Sequence, residues 1–100
     1  MSAGESPFDL AGRVAIVTGG NGGIGRAIAL GLARAGAAVA VLARDEAKNA
    51  RVLEELQAIG VPAAALRLDV TRRNDLQQAL LEVEQRLGSL DILSTTRGSR

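Results

Sequence analysis

A glycine-rich segment holds the residues of this chain that are best suited to chemistry: Thr18-Gly19-Gly20-Asn21-Gly22-Gly23-Ile24-Gly25. It follows an apolar run at 14–17, which is typical of a buried strand, and it precedes a helical pattern. Glycines let a backbone turn sharply and approach a ligand closely. The first N–H groups of a helix have no acceptor within the helix, and the helix dipole adds partial positive charge there. The segment therefore predicts a loop that binds the pyrophosphate of a dinucleotide.

The spacing of these glycines separates several kinds of loop. A nucleoside-triphosphate P-loop is excluded, because Arg26-Ala27 follows Gly25 where that loop needs Lys and then Ser or Thr. A purely conformational role for the glycines is the alternative to phosphate binding. The spacing Thr18-Gly19-x-x-x-Gly23-x-Gly25 resembles the cofactor loop of the short-chain dehydrogenases/reductases, a family with a Rossmann-type fold. The resemblance extends from about residue 8 to residue 93.

The resemblance implies a role for each residue of the loop. Gly19 would make the tight turn, Gly23 would admit the pyrophosphate, and Gly25 would let the helix pack closely on the strand. Thr18 and Asn21 would brace the loop. The N–H group of Ile24 would donate to a phosphate oxygen.

Composition excludes several other classes of protein. The 100 residues are 47% apolar and make at most one domain. The net charge of +1, with both signs mixed, points to neither nucleic acid nor a membrane surface as a partner. The absence of Cys and His excludes a zinc site built from them, and we expect no metal. No apolar run is long enough to span a bilayer, and the polar residues 1–7 are unlike a signal peptide, so we expect a cytoplasmic protein.

Strand and helix patterns alternate along the chain. Strands are predicted at 13–18, 38–43, 64–68 and 90–93. Helices are predicted from the loop to Gly36, from Asp45 or Glu46 to Gly60, and from an N-cap at Thr71 to Gly88. The expected inward-facing residues are Ile24, Ala27, Ile28, Gly31, Leu32 and Ala35 in the first helix, Ala47, Ala50, Leu53 and Leu56 in the second, and Leu76, Ala79, Leu80, Val83 and Leu87 in the third.

This alternation predicts an α/β fold with a doubly wound parallel sheet. Right-handed crossovers place the first two helices on one face and the third on the other, which gives the strand order 3-2-1-4. The loop then lies at the carboxyl edge, where the order reverses. We expect a flexible leader at 1–7, an incomplete dinucleotide-binding portion at 8–93 and a divergent, disordered tail at 94–100.

The residues after the second strand decide how the adenosine ribose is bound. An acidic residue there would bond the ribose hydroxyls, but this chain has Ala43-Arg44. Arg44 could make charge-assisted bonds to a 2′-phosphate, worth about 1.5–3 kcal/mol. An ordinary solvated arginine is the alternative. In the family, NADP members often carry a basic residue at this point, so the resemblance favours NADP over NAD.

Asp69-Val70 follows the third strand. The Asp69 carboxylate could accept a bond from the adenine amino group, while the N–H of Val70 meets a ring nitrogen. The alternative is an acidic residue that merely flanks the next helix. The family has a matching Asp-Val pair, which favours the adenine contact. Arg72-Arg73 are interpreted as solvated charge.

The residues that perform hydride chemistry in the family are absent. That chemistry uses a Tyr whose pKa a nearby Lys lowers, but the chain has no Tyr, and Lys48, in the second helix, is interpreted as a surface residue. No residue is therefore assigned as catalytic. The family continues the fourth strand as Val-Asn-Asn-Ala-Gly, whereas this chain has Ser94-Thr95-Thr96-Arg97-Gly98. The abrupt divergence resembles a truncated or frameshifted reading frame.

Three interpretations follow. The first is the N-terminal, cofactor-binding portion of a short-chain dehydrogenase/reductase, which binds NADP or NAD and cannot transfer hydride alone. The second is a non-catalytic nucleotide-binding or interaction module that self-associates through the open edge of its fourth strand. The third is a fragment without function. An exposed strand edge and a half-covered sheet favour association.

Overall fold

The structure, a computed structural model, describes residues 10–19, 23–68 and 72–95. The leader at 1–7, residues 96–100 and the predicted N-cap Thr71 lie outside these residues. Four strands alternate with three helices: β1 Val14–Thr18, α1 Gly23–Arg34, β2 Ala38–Ala43, α2 Glu46–Ile59, β3 Ala63–Arg67, α3 Arg73–Leu87 and β4 Ile92–Thr95.

The strands form one parallel sheet in the order β3-β2-β1-β4, which confirms the predicted topology. β1 lies between β2 and β4, with Thr18 opposite both Leu42 and Thr95. β2 continues the sheet to β3, where Ala43 lies opposite Arg67. All four carboxyl ends therefore lie along one edge of the sheet.

The two central strands are buried along their whole length. Alternate side chains point to opposite faces and form two cores. Ala15, Val17, Val39 and Val41 pack against α1 and α2, whereas residues such as Ile16 and Leu42 pack on the face that α3 covers. The predicted division of the helices between the faces is confirmed.

The buried side of α1 differs from the predicted stripe. Its buried residues are Gly25, Ala29, Leu30 and Ala33. Ile28 and Leu32 are partly buried against the same core, but Ile24, Ala27 and Gly31 are exposed. The prediction for these three residues was wrong because α1 is apolar on almost every side. Periodicity alone could not choose the face that packs on the sheet.

α2 begins and ends as predicted. The Asp45 carboxylate caps the helix by accepting from the Lys48 N–H at 3.1 Å, and Gly60 ends it in the left-handed conformation. Its inward face is only partly as expected, because Asn49, Val52 and Leu56 are buried whereas Ala47 and Ala50 are exposed.

Asn49 was not anticipated as a buried residue. Its Nδ2 donates to the Ala43 carbonyl at 3.1 Å and to the Leu66 carbonyl at 3.4 Å. The side chain thus joins α2 to the carboxyl ends of both β2 and β3.

α3 packs as predicted, with Ala79 and Val83 buried and its leucines at 76, 80 and 87 partly buried beside them. The residue at its N-cap position is Arg72, whose side chain makes no capping bond. The expected pair between Glu82 and Arg86 is present at 2.7 Å.

β4 begins at Ile92, two residues later than predicted. Asp91 lies just before the strand and bonds to Val14 at the start of β1. Its carboxylate accepts from the Val14 N–H at 3.0 Å, and its own N–H donates to the Val14 carbonyl at 2.9 Å. Ser94 and Thr95, which were assigned to the divergent tail, belong to β4. The departure from the family sequence therefore starts inside a strand.

α1 and α2 are also joined at the surface. Arg26 forms a bidentate ion pair with Glu55, in which its Nε donates to Oε1 at 2.8 Å. The hydrogen bond from Arg26 lowers the pKa of the Glu55 carboxyl, and the same bond raises the pKa of Arg26. Among the described residues, no helix is long and apolar enough to cross a membrane.

We predict that Asn49→Ala lowers the free energy of unfolding by about 1–3 kcal/mol, because the buried bond to the Ala43 carbonyl and the partly buried bond to the Leu66 carbonyl are both lost. Urea denaturation measures this loss. The control is Gln57→Ala, at an exposed position of the same helix, which should change stability by less than about 0.5 kcal/mol. Equal effects of the two substitutions would contradict a special role of the Asn49 amide.

We predict that Glu55→Gln reduces the acid sensitivity of folding. Since the folded state lowers the pKa of Glu55, the pair contributes stability above the ordinary carboxyl pKa, and this is lost as pH falls through the lowered value. Thermal midpoints measured between pH 7 and pH 3 should therefore fall less steeply in the variant. Glu54→Gln, on the adjacent exposed side chain, is the control and should follow the unmodified protein.

Candidate functional site

The candidate site lies at the carboxyl edge of the sheet, beside the point where the strand order reverses. There, β1 leads into the glycine-rich loop and β2 leads to Arg44. Thr18 is buried at the end of β1, where it lies between the neighbouring strands. Open parallel sheets bind ligands at such a reversal, because loops that diverge to opposite faces leave a crevice between them.

Gly19 turns the chain out of the sheet. Its φ of 69° lies in the left-handed region that favours glycine. Its N–H donates to the Leu42 carbonyl at 2.8 Å, so the turn begins while the chain is still bonded to β2. This geometry agrees with the tight turn that the resemblance implies.

The first turn of α1 lies at the same edge of the sheet and is largely exposed. Gly23 begins the helix with a φ of 52°, and no heavy atom from other described parts of the chain lies within 4 Å of the position that a Cβ would take there. Ile24 is 76% exposed, and Gly25 is buried. The first turn carries no acidic side chain, so no carboxylate of that turn opposes the positive end of the helix dipole. The N–H groups of this turn could donate to a phosphate group.

Three of the expected site residues cannot be compared with the structure. Asn21 in the loop and Asp69 and Val70 after β3 lie outside the described residues. Their assigned roles stay predictions. Lys48 is exposed on α2 and lines a groove between α1 and α2, in agreement with a surface role.

Arg44 lies on an open cleft of about 370 Å³ at the ends of β2 and β3. Its lining residues are Arg44, Arg67, Leu68, Arg72 and Asp75. Arg67 was not singled out from the sequence, because it lies inside a predicted strand with no motif around it. The predicted strand order could have revealed it, since parallel pairing of β2 with β3 places the last residues of the two strands side by side.

The topology, the left-handed turn at Gly19 and the exposed start of α1 together define a Rossmann-type dinucleotide-binding fold. Comparison with known proteins agrees with this class. The sequence profile of the short chain dehydrogenase family matches residues 13–99. The chain belongs to the short-chain dehydrogenase family.

Individual relatives are similar over nearly the whole chain. Hydroxynaphthalene reductase arp2 of Aspergillus fumigatus is 46% identical over 90 residues, which cover 89% of this chain and 33% of that protein. A short-chain dehydrogenase/reductase from Mycobacterium marinum has a TM-score of 0.81 at 40% identity and covers 86% of this chain and 35% of its own.

L-Sorbose reductase from Gluconobacter frateurii, solved with NADPH and L-sorbose, has a TM-score of 0.86 at 29% identity. That match covers 94% of this chain and 36% of the reductase. The chain thus spans about a third of the length of each of these relatives.

We predict that Gly23→Ala abolishes dinucleotide binding and lowers the free energy of unfolding by about 1–2 kcal/mol. The left-handed φ strains any residue with a Cβ, and the methyl group would project into the space that the phosphate needs. Isothermal titration calorimetry with NADP⁺ and urea denaturation measure the two effects.

Gly31→Ala is the matched control, on the exposed side of the same helix with open space around it. It should keep binding unchanged and stabilise the helix by about 0.5–1 kcal/mol. Retained binding in Gly23→Ala would remove the start of α1 from the site.

Proposed function

We propose that this chain binds a pyridine dinucleotide at the carboxyl edge of its sheet, with NADP(H) preferred over NAD(H). The observation that carries the proposal is the exposed first turn of α1, which has no acidic side chain and follows the left-handed turn at Gly19 in the chain. In the longer proteins of the family, the bound coenzyme supplies or accepts the hydride that interconverts a carbonyl and an alcohol. We propose this reaction class for a protein of which this chain is the cofactor-binding part.

The pyrophosphate would lie against the start of α1. The N–H groups of its first turn, including that of Ile24, lack acceptors within the helix and can donate to phosphate oxygens. Gly23 leaves room for close approach, and buried Gly25 keeps the helix near β1. Thr18 and Asn21 would brace the loop.

The adenosine half would extend from the loop towards the ends of β2 and β3. Arg44 is exposed on the cleft there, where an acidic residue would otherwise bond the ribose hydroxyls. A guanidinium group suits a 2′-phosphate, since it can donate two parallel hydrogen bonds to it. Asp69 and Val70, which follow β3, would bond the adenine edge.

We assign no catalytic residue to this chain. The family's proton transfer needs a phenol with a cation beside it, and the sequence contains no Tyr. The single lysine, Lys48, lies on α2 in the groove that faces α1. We therefore propose that the described site binds and orients a coenzyme, and that hydride transfer requires residues that this chain does not supply.

Self-association is a second candidate function, favoured by β4. This strand ends the described sheet on one side, and Leu93 on it is 54% exposed. An unpaired strand edge with an exposed leucine can pair with another chain. We keep a nucleotide-binding interaction module as the alternative, and a cytoplasmic location as a prediction.

We predict that Arg44→Gln weakens NADP⁺ binding about tenfold and leaves NAD⁺ binding unchanged. The loss corresponds to about 1.4 kcal/mol, near the lower end for a charge-assisted hydrogen bond because Arg44 is exposed. Calorimetric titration of each coenzyme into the same protein measures the ratio of affinities.

Arg34→Gln removes an equal charge from the last turn of α1, at the opposite end of that helix from the glycine-rich loop, and serves as the control. It should leave the ratio unchanged. An unaltered NADP⁺/NAD⁺ ratio in Arg44→Gln would exclude Arg44 from the site. Well-folded protein that binds neither coenzyme would refute the proposed function itself.

A further inference from the structure

Arg67 occupies a defined place beside Arg44. It is the last residue of β3 and lies opposite Ala43, the last residue of β2. Its Nε donates to the Arg44 carbonyl at 3.2 Å. The Leu68 N–H donates to the Ala43 carbonyl at 3.1 Å, so Ala43 and Arg44 are held by the two consecutive residues Leu68 and Arg67.

This bond leaves most of the Arg67 guanidinium available. A guanidinium has five N–H donors, and the bond to Arg44 uses only the Nε–H. Arg67 also lines the same cleft as Arg44 and is exposed to solvent. Its two Nη groups can therefore donate to an anion in that cleft while the Nε stays bonded to the backbone.

The charge of the cleft fits a doubly charged anion. Arg44, Arg67 and Arg72 contribute three positive charges to its lining, and Asp75 contributes one negative charge. The described lining residues therefore carry a net charge of +2. A phosphomonoester carries about −1.5 to −2 at neutral pH, whereas the two ribose hydroxyls that NAD presents are neutral.

We propose that Arg67 is a second residue that determines specificity for the 2′-phosphate, acting with Arg44 across the ends of β3 and β2. The inference rests on the proposed NADP binding and deepens it. Arg67 has two tasks at this place. Its Nε holds the backbone that carries the Arg44 side chain, and its Nη groups donate to the phosphate oxygens. The glycine-rich motif does not reveal the contribution of Arg67, because Arg67 lies at the end of β3, far from that motif in the sequence.

The test compares two probes that differ only in the 2′-phosphate, adenosine 2′,5′-bisphosphate and adenosine 5′-monophosphate. Calorimetry on the full 100-residue chain gives the ratio of their affinities. We expect Arg67→Gln to lower the ratio of bisphosphate affinity to monophosphate affinity about tenfold. The variant should bind the bisphosphate more weakly and the monophosphate as before. If Arg67 contributed only to the general stability of the fold, its substitution would weaken the binding of both probes equally and leave the ratio unaltered.

The control is Arg51→Gln, which removes an equal charge from an exposed position of α2 that lines the separate groove facing α1. It should leave the ratio as in the unmodified protein. If Arg44→Gln lowers the ratio and Arg67→Gln does not, the inference about Arg67 fails while the proposed NADP binding stands. If the unmodified chain binds the two probes with equal affinity, the proposed NADP preference is wrong, and so is the inference about Arg67.

Discussion

Parallel pairing of the strands around β1 is the constraint on which the rest of this structure depends. Parallel strands need crossover connections, and right-handed crossovers send α1 and α2 to one face and α3 to the other. All four strands then end at the same edge. The glycine turn and Arg44 are far apart in sequence, yet they meet there because β1 and β2 are neighbours in register.

The two halves of the candidate site are held by different interactions. The half of the site beside the glycine-rich loop is set by backbone geometry, because Gly19 adopts a left-handed conformation and its N–H bonds to the Leu42 carbonyl. The half of the site beside the cleft is set by side chains that donate hydrogen bonds to backbone carbonyls. Asn49 donates to Ala43 and Leu66, and Arg67 donates to Arg44. Polar groups at the strand ends are thus satisfied in a way that also orients the residues that follow them.

The sequence predicted the order of the elements well because each has a local signal. β2 has the predicted bounds, and Gly60 and Gly88 end their helices as expected. The helix faces were harder to predict. In α3 the apolar residues form one stripe, and the prediction was confirmed; in α1 they occur on nearly every side, and Ile24 is exposed. Burial of Asn49 was missed because its partners are carbonyls of distant strands.

The sequence by itself determined the alternation of strand and helix and the strand order, because periodicity and the handedness of crossovers are local or general rules. Only the tertiary structure decided which face of α1 packs on the sheet, that Ser94 and Thr95 continue β4, and that Arg67 lies beside Arg44. These outcomes depend on register and on contacts between segments distant in the chain, and no local pattern encodes such contacts.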